Sequence, residues 1–159
     1  MAPDSHMFRI MHTADLHLGM KFSAYPEVRE ELAAARFTTL ESIVAIANSE
    51  KCSILVVAGD LFDRPAVAAA DVQKAGQALA RFEGDVALVL PGNHDFAAPD
   101  SELWTRFRKV SGDRTLVLDR PEAVDLRHYG PSAAVYPAPC TARRSSINNI
   151  GWINPAVRI

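Results

Sequence analysis

The chain has 159 residues, of which 48% are hydrophobic and 23% are charged, as expected for one globular domain with a buried core. Its formal net charge of −2 gives no bulk attraction for a phosphate backbone, so contact with nucleic acid requires a local basic patch, a metal site or a partner. The two cysteines, Cys52 and Cys140, exclude a CxxC zinc clamp and a dense disulfide framework. The sequence shows neither a membrane-spanning run nor a secretory signal, and we expect a reduced, cytoplasmic protein.

The two ends of the chain suggest different origins. The first seven residues, MAPDSHM, resemble a cloning remnant, because Ser-His-Met is a frequent scar of cleavable tags. We therefore divide the chain into residues 1–7, the remnant, and residues 8–159, one domain. The sequence stops at Ile159 just after an apolar stretch without a closing helix, and we expect this domain to be incomplete.

Strands and helices alternate in the first half of the chain. The runs FRIMHTAD, SILVVAGD and VALVL are short and apolar and end in polar loops, as buried strands do. Between them, apolar residues recur at helical spacing from about residue 27 to 48, and again up to Gly84 after Pro65 in a first helical turn. This alternation predicts an α/β fold with a largely parallel sheet, whose functional loops follow the carboxyl ends of the strands.

The pattern loosens after Asp100. A third helix is predicted over Glu102–Val110, and short strands within residues 115–118, 123–126 and 133–136. We expect these strands to belong to the same sheet or to a second one.

Polar residues follow the first strand as the motif D-x-H, formed by Asp15 and His17. In an extended segment, residues two apart point to the same side, so that the carboxylate and the imidazole could meet one metal ion. The motif also occurs by chance, and the alternative is a turn aspartate beside a packed or solvated histidine.

The second and third strands are followed by similar loops. Asp60 comes after a buried strand and a glycine, where its carboxylate can bridge two cations at the edge of the sheet, whereas for Asp63 we favour a helix N-cap. The PGNHD loop offers the amide oxygen of Asn93 and the proton donor of His94, or two structural turn residues. Because all three loops follow strand ends, the motifs together indicate a metal site more strongly than each alone.

The motifs D-x-H, GD and GNHD in this order resemble the signature of the calcineurin-like metallophosphoesterases over roughly residues 8–96. Within that superfamily, HTADLHLG and GDLFD are most similar to the SbcD-type DNA repair exonucleases. The resemblance implies a layered α/β/α sandwich. It also implies a hydrolase, a nuclease that cleaves DNA phosphodiester bonds at a dinuclear metal site, most often with Mn(2+).

Carried over residue by residue, the resemblance assigns a role to each polar residue of the three loops. Asp15 and His17 bind the first metal ion, Asp60 bridges both ions, and Asn93 binds the second. His94 is then the catalytic residue and faces the phosphate.

The sequence departs from the family at two points. The family site has three further histidines downstream, which this chain lacks. Of the remaining histidines, His12 fits a packed or hydrogen-bonded role better than ligation, and His128 fits a surface or packing role better. The resemblance therefore implies a weakened first metal site, a weak or empty second one and doubtful catalysis by this chain alone. A histidine often follows GDLF in the SbcD-type nucleases, where this chain has Asp63, and the tail after residue 134 resembles a less-studied bacterial branch of DNA repair exonucleases.

Other functions stay open. The same fold serves phosphomonoesterases and cyclic-nucleotide phosphodiesterases, and a chain poor in metal ligands could be a non-catalytic scaffold. The resemblance implies DNA as substrate and an SMC-like ATPase as partner, and it leaves a homodimer open. Metal identity and endo or exo action stay undecided.

Overall fold

In a computed structural model the described residues are 8–154, so the predicted cloning remnant at residues 1–7 lies outside them. Strands and helices alternate as predicted. In chain order the elements are β1 (Ile10–Thr13), α1 (Arg29–Ser49), β2 (Ile54–Ala58), α2 (Ala69–Leu79), β3 (Val86–Leu90), α3 (Glu102–Val110), β4 (Thr115–Val117), β5 (Val124–Asp125), a short 3-10 helix (Arg127–Tyr129) and β6 (Ala134–Val135).

The first four strands form one parallel sheet in the order β1-β2-β3-β4, and β5 and β6 form a separate antiparallel pair. Each crossover moves to the next strand in the same direction. Because such crossovers are right-handed, this order brings all the connecting helices to one face of the sheet. The α/β fold is confirmed, and within residues 8–154 it contains one helical layer.

The larger core lies between the sheet and the three helices. Leu55, Val57 and Val89 point from the strands into this layer, where they join buried residues of α1, α2 and α3. Trp104 and Phe107 of α3 pack on each other at a ring-centroid distance of 5.7 Å and an interplanar angle of 88°. Both rings also contact Phe62, at 5.9 and 5.8 Å, so that α3 is fixed on the loop that follows β2.

The opposite face of the sheet has a smaller core. Its residues Ile54, Val86 and Leu88 are buried together with Leu126, under the β5–β6 pair. This smaller core takes residues from β2, β3 and β4, whereas β1 lies at the edge of the sheet, where Ile10 is 51% exposed. The prediction that the first strand is buried is therefore wrong for its outward face.

The helices differ from prediction mainly at the start of α2. Pro65 lies outside α2, which begins four residues later at Ala69 and ends at Leu79, although Phe82 is buried as its spacing predicted. The delay has a physical cause, because Asp63 and Arg64 are held in the preceding loop by hydrogen bonds to loop backbone. The third helix has the predicted bounds.

No helix in the described part of the chain is long and apolar enough to cross a membrane.

We expect Gly76→Ala to destabilise the fold, although alanine normally favours a helix over glycine by about 1 kcal/mol. A Cβ atom at Gly76 would lie 2.6 Å from Cγ2 and 2.9 Å from the carbonyl carbon of Val110, so α2 and α3 would have to separate. Urea denaturation should show a loss of about 1–3 kcal/mol. Gln73→Ala, at an exposed position on the same helix, should stay within about 0.5 kcal/mol. A gain in stability for Gly76→Ala would refute the close contact.

Candidate metal centre

Three loops at the carboxyl ends of the strands build the centre: loop 1 (residues 14–19), loop 2 (residues 59–64) and loop 3 (residues 91–95). Loops 1 and 2 continue the pairing of β1 with β2. His17 N–H donates to the Asp60 carbonyl at 2.9 Å, and Leu18 N–H donates to Leu61 at 2.8 Å. Asp63 N–H returns a bond of 3.0 Å to the Leu18 carbonyl, so the backbones of the two loops are locked together.

Asp15, His17 and Asp60 all adopt positive φ angles, of 56°, 45° and 52°. The expectation that Asp15 and His17 lie in an extended segment is therefore wrong, and their side chains meet through a strained backbone. Such a conformation costs of the order of 1–3 kcal/mol for a residue other than glycine, and aspartate and histidine tolerate it better than most. Strain of this kind is concentrated at functional sites.

The three residues form the first cluster, in which one donor atom from each lies within 4.8 Å of the others. His17 Nε2 is 3.8 Å from Asp15 Oδ1. The Asp15 side chain is 74% exposed, whereas Asp60 is buried. The cluster is thus open to solvent on the Asp15 side and closed beneath Asp60.

Loop 3 is attached to this cluster through Asp60. The His94 N–H donates to Asp60 Oδ1 at 2.8 Å, which leaves Oδ2 without a hydrogen bond within residues 8–154. Gly92 makes this approach possible, because a Cβ atom there would lie 2.2 Å from Asp60 Oδ1 and 2.4 Å from its backbone nitrogen. A glycine is required where two loops pack this closely.

Asp95 ties the same two loops together from below. It is fully buried, and its carboxylate accepts hydrogen bonds from Phe62 N–H at 3.0 Å and Gly92 N–H at 2.7 Å. Its carbonyl accepts a bond of 2.7 Å from the Trp104 indole N–H. Burial raises the pKa of Asp95 to about 6, against the effect of the two backbone N–H groups. Asp95 therefore couples loops 2 and 3 to α3.

A second cluster adjoins the first. Donor atoms of His17, Asp63 and His94 lie within 4.8 Å of one another, and the two imidazole rings meet edge to face at 4.7 Å. His94 Nδ1 is 3.0 Å from the Asp63 carbonyl oxygen, and His17 Nδ1 is 3.9 Å from Asp63 Oδ1. His17 Nδ1 is buried and has no hydrogen-bond partner among residues 8–154. His17 thus presents one ring nitrogen to each cluster.

The structure places Asp63 beside the metal centre and not at the helix N-cap that the sequence predicted. The N-cap of α2 is Ala68, without a side-chain cap bond, so the interpretation of Asp63 as a cap is wrong. Its carboxylate pairs with Arg64 at 3.1 Å and faces His17. The spacing of Asp63 three residues after Asp60, inside one tight loop, was the signal that could have identified it.

The other predicted residues are placed as follows. Asn93 is exposed next to His94, and its side chain makes no hydrogen bond to another described residue. His12 lies exposed on β1, so a packed role for it is wrong, and it belongs to neither cluster. His128 is an exposed residue in edge contact with Tyr129, as predicted.

The segment after β6 packs against loop 3. The Cys140 N–H donates to the Pro91 carbonyl at 3.1 Å, and Ala97 N–H donates to the Cys140 carbonyl at 2.8 Å. Burial raises the pKa of the Cys140 thiol, and the charges of Asp60 and Asp95 add to this effect. The tail therefore supports the metal centre from the side of loop 3.

The donor set fits a divalent cation. Carboxylate oxygens and imidazole nitrogens are ligands that manganese, iron and zinc accept. A proton on His17 Nδ1, directed at Asp63, would leave Nε2 free as a ligand, and a carboxylate beside the second nitrogen is the usual arrangement around metal-binding histidines.

Comparison with known proteins agrees with the fold and this geometry. The calcineurin-like phosphoesterase family matches residues 8–154, a longer part of the chain than the motifs alone covered. The chain belongs to this family.

Two relatives point to one branch of it. The DNA double-strand break repair protein Mre11 of Aeropyrum pernix is 31% identical over 109 residues, which are 67% of this chain and 26% of that protein. The SbcD component of the nuclease SbcCD of Escherichia coli K12 is 29% identical over 151 residues, which are 92% of this chain and 36% of that protein. The chain thus spans less than two fifths of the length of either curated relative. The resemblance to an SbcD-type branch is confirmed.

We expect Asp95→Ala to destabilise the chain by about 2–4 kcal/mol, because two buried N–H groups would lose their acceptor. Asp95→Asn keeps one acceptor oxygen and should cost less. Urea denaturation without added metal measures both. Asp15→Asn is the matched control, and it should stay within about 0.5 kcal/mol because the Asp15 side chain is exposed. Equal stability of Asp95→Ala and the unaltered chain would show that the coupling is not needed for folding.

Proposed function

We propose that this chain carries the metal centre of a manganese-dependent DNA repair exonuclease that hydrolyses phosphodiester bonds. The observation that supports this most directly is the meeting of Asp15, His17 and Asp60 on strained, mutually bonded loops of a calcineurin-like phosphoesterase. The relatives named as a nuclease component and a break-repair protein support DNA as the substrate.

In this proposal each loop contributes separate groups. Asp15 and His17 would hold the first cation, Asp60 would serve both cations, and Asn93 would offer its amide oxygen to the second. Bound divalent cations would polarise the phosphate and lower the pKa of water. The Asp60 carboxylate accepts the His94 N–H through Oδ1, and its remaining lone pairs would be available to cations. The exposed side chain of Asn93 is free to turn toward the ion.

His94 is proposed to act on the phosphate. A carbonyl oxygen can only accept, so the bond between His94 Nδ1 and Asp63 fixes a proton on Nδ1. When the ring is protonated, Nε2–H can donate to a phosphate oxygen or to the leaving oxygen. The ring orientation is held by the edge contact with His17. We therefore assign His94 as the catalytic residue.

A second function of the same fold is favoured by one observation. Asp63 occupies the position at which SbcD-type nucleases often have a histidine that touches the nucleotide, and its carboxylate turns toward His17 instead. This arrangement favours a phosphomonoesterase or a small phosphodiester as the alternative. Relative rates on a labelled oligonucleotide and on p-nitrophenyl phosphate would separate the two functions.

The proposals on domain extent, cellular location and partner rest on the same resemblance. We propose residues 8–159 as part of one phosphoesterase domain, a cytoplasmic location, and an SMC-like ATPase as the partner, with homodimer formation to be tested by light scattering.

Asp60→Asn should lower manganese-dependent hydrolysis of a labelled oligonucleotide by more than about 100-fold, because the shared carboxylate charge is lost while its volume is kept. Denaturing gels of a time course measure the rate. Asp113→Asn, an exposed aspartate outside both clusters, should leave the rate unchanged. Full activity of Asp60→Asn would contradict the proposal.

We expect one manganese ion per chain to be retained through gel filtration, since the first cluster has three charged or imidazole ligands and the second cation would have only Asp60 and Asn93. Inductively coupled plasma mass spectrometry gives the stoichiometry. Asp15→Asn should weaken the retained ion about 10–100-fold in calorimetric titration. Two tightly held ions per chain would refute this expectation.

A further inference from the structure

A cavity of about 460 Å³ opens beside the metal centre. Three parts of the chain form its walls. They are the end of loop 1 with the segment after it (residues 19–26), the first half of α1, and the segment that leads from loop 2 into α2. None of its lining residues belongs to the first or the second cluster. The volume lies in the range of pockets that bind small organic ligands, roughly 300–1,000 Å³.

Arg64 connects this cavity to the metal centre. It lines the cavity, and its guanidinium donates to the Gly19 carbonyl at 2.9 Å and pairs with Asp63 Oδ2 at 3.1 Å. Asp63 belongs to the second cluster with His17 and His94. The Arg64–Asp63 ion pair would therefore lie between a ligand in the cavity and His94. An extended ligand could reach from the cavity to the metal centre.

Two cationic side chains of the cavity are open to an anion. Of the three cations that line it, Arg64 is paired with Asp63, and Lys21 and Arg29 remain beside the carboxylates of Glu30 and Asp71. Lys21 is exposed and makes no ion pair or hydrogen bond to another described residue. Arg29 approaches Glu30 only at 4.0 Å, between two exposed side chains, and such a pair is weak in water. Lys21 and Arg29 are therefore available to a phosphate group, although the whole chain is slightly acidic.

The floor of the cavity is apolar. Ala33 and Phe37 of α1 face Val67, which is buried at the entrance to α2. The ammonium group of Lys74 lies 5.4 Å from the centroid of the Phe37 ring. An apolar floor beside Lys21 and Arg29 suits a ligand with a hydrophobic ring or sugar and an attached phosphate. A nucleotide has this chemistry, and inorganic phosphate has only half of it.

We propose that the cavity is a substrate subsite that binds the nucleotide next to the scissile phosphate of a DNA strand. Lys21 and Arg29 contact the flanking phosphate, and the floor at Ala33 and Phe37 contacts the sugar or base. This inference rests on the proposed nuclease function, because it takes the scissile phosphate to lie at the metal centre.

The test is the binding of a fluorescein-labelled 12-nucleotide single strand, measured by fluorescence anisotropy with manganese present. All variants carry Asp60→Asn so that the strand is not cleaved during the measurement. Lys21→Gln with Arg29→Gln should weaken binding about tenfold and reduce the slope of log K against log salt by about 0.7, the value for one lost phosphate contact with a single strand. Ala33→Leu, which fills the floor without changing charge, should weaken binding about fivefold with the same slope.

Lys109→Gln with Arg120→Gln is the matched control, because both residues are exposed cations that do not line the cavity. It should stay within about twofold of the parent. Thermal unfolding of each variant confirms that it is folded. Binding by the cavity variants equal to the parent, or an equal loss in the control pair, would overturn the subsite.

Hydrolysis by the chain with Asp60 intact distinguishes this inference from the proposed function. Cleavage by the chain with Asp60 intact, together with normal binding by the cavity variants, would contradict the subsite and leave the nuclease proposal standing. Selective loss of binding in those variants, without manganese-dependent cleavage by the chain with Asp60 intact, would support the subsite and contradict nuclease activity of this chain by itself.

Discussion

The metal centre depends on the reciprocal attachment of loops 2 and 3. Asp60 of loop 2 accepts the His94 N–H of loop 3, and Asp95 of loop 3 accepts the Phe62 N–H of loop 2. Each loop therefore supplies a carboxylate that accepts a backbone N–H of the other loop. Gly92 lets the two backbones approach closely enough for both bonds. Without this exchange, Asp60 and His94 would sit on two independent surface loops.

The strain and the buried charge of the centre are balanced by the core beneath it. Positive φ angles at Asp15, His17 and Asp60, and a carboxylate buried at Asp95, are each unfavourable for folding. The loops do not relax, because their backbones are hydrogen-bonded to one another and α3 holds Asp95 from below. A site arranged in this way is formed before any cation binds, which lowers the cost of ordering the ligands on binding.

The agreement between sequence and structure differs from element to element. The third helix has the predicted bounds, because its apolar spacing and its ends are local features. The start of α2 was misplaced, since bonds from loop 2 to loop 1 delay the helix beyond Pro65. Asp63 was misread for the same reason. Its neighbour His17 comes from another loop, and within its own segment only the spacing from Asp60 indicates a place at the centre.

Local sequence patterns are enough to predict the α/β class, the order of strands and helices, and the three polar loops with their aspartates and histidines, because periodicity and strand-end motifs lie within short segments. The three-dimensional arrangement is needed to show that all three helices share one face, that Asp63 faces His17, and that Asp95 couples two loops. These features depend on contacts between residues distant in the chain. The cavity beside Arg64 is of the same kind, since its walls come from three separate segments.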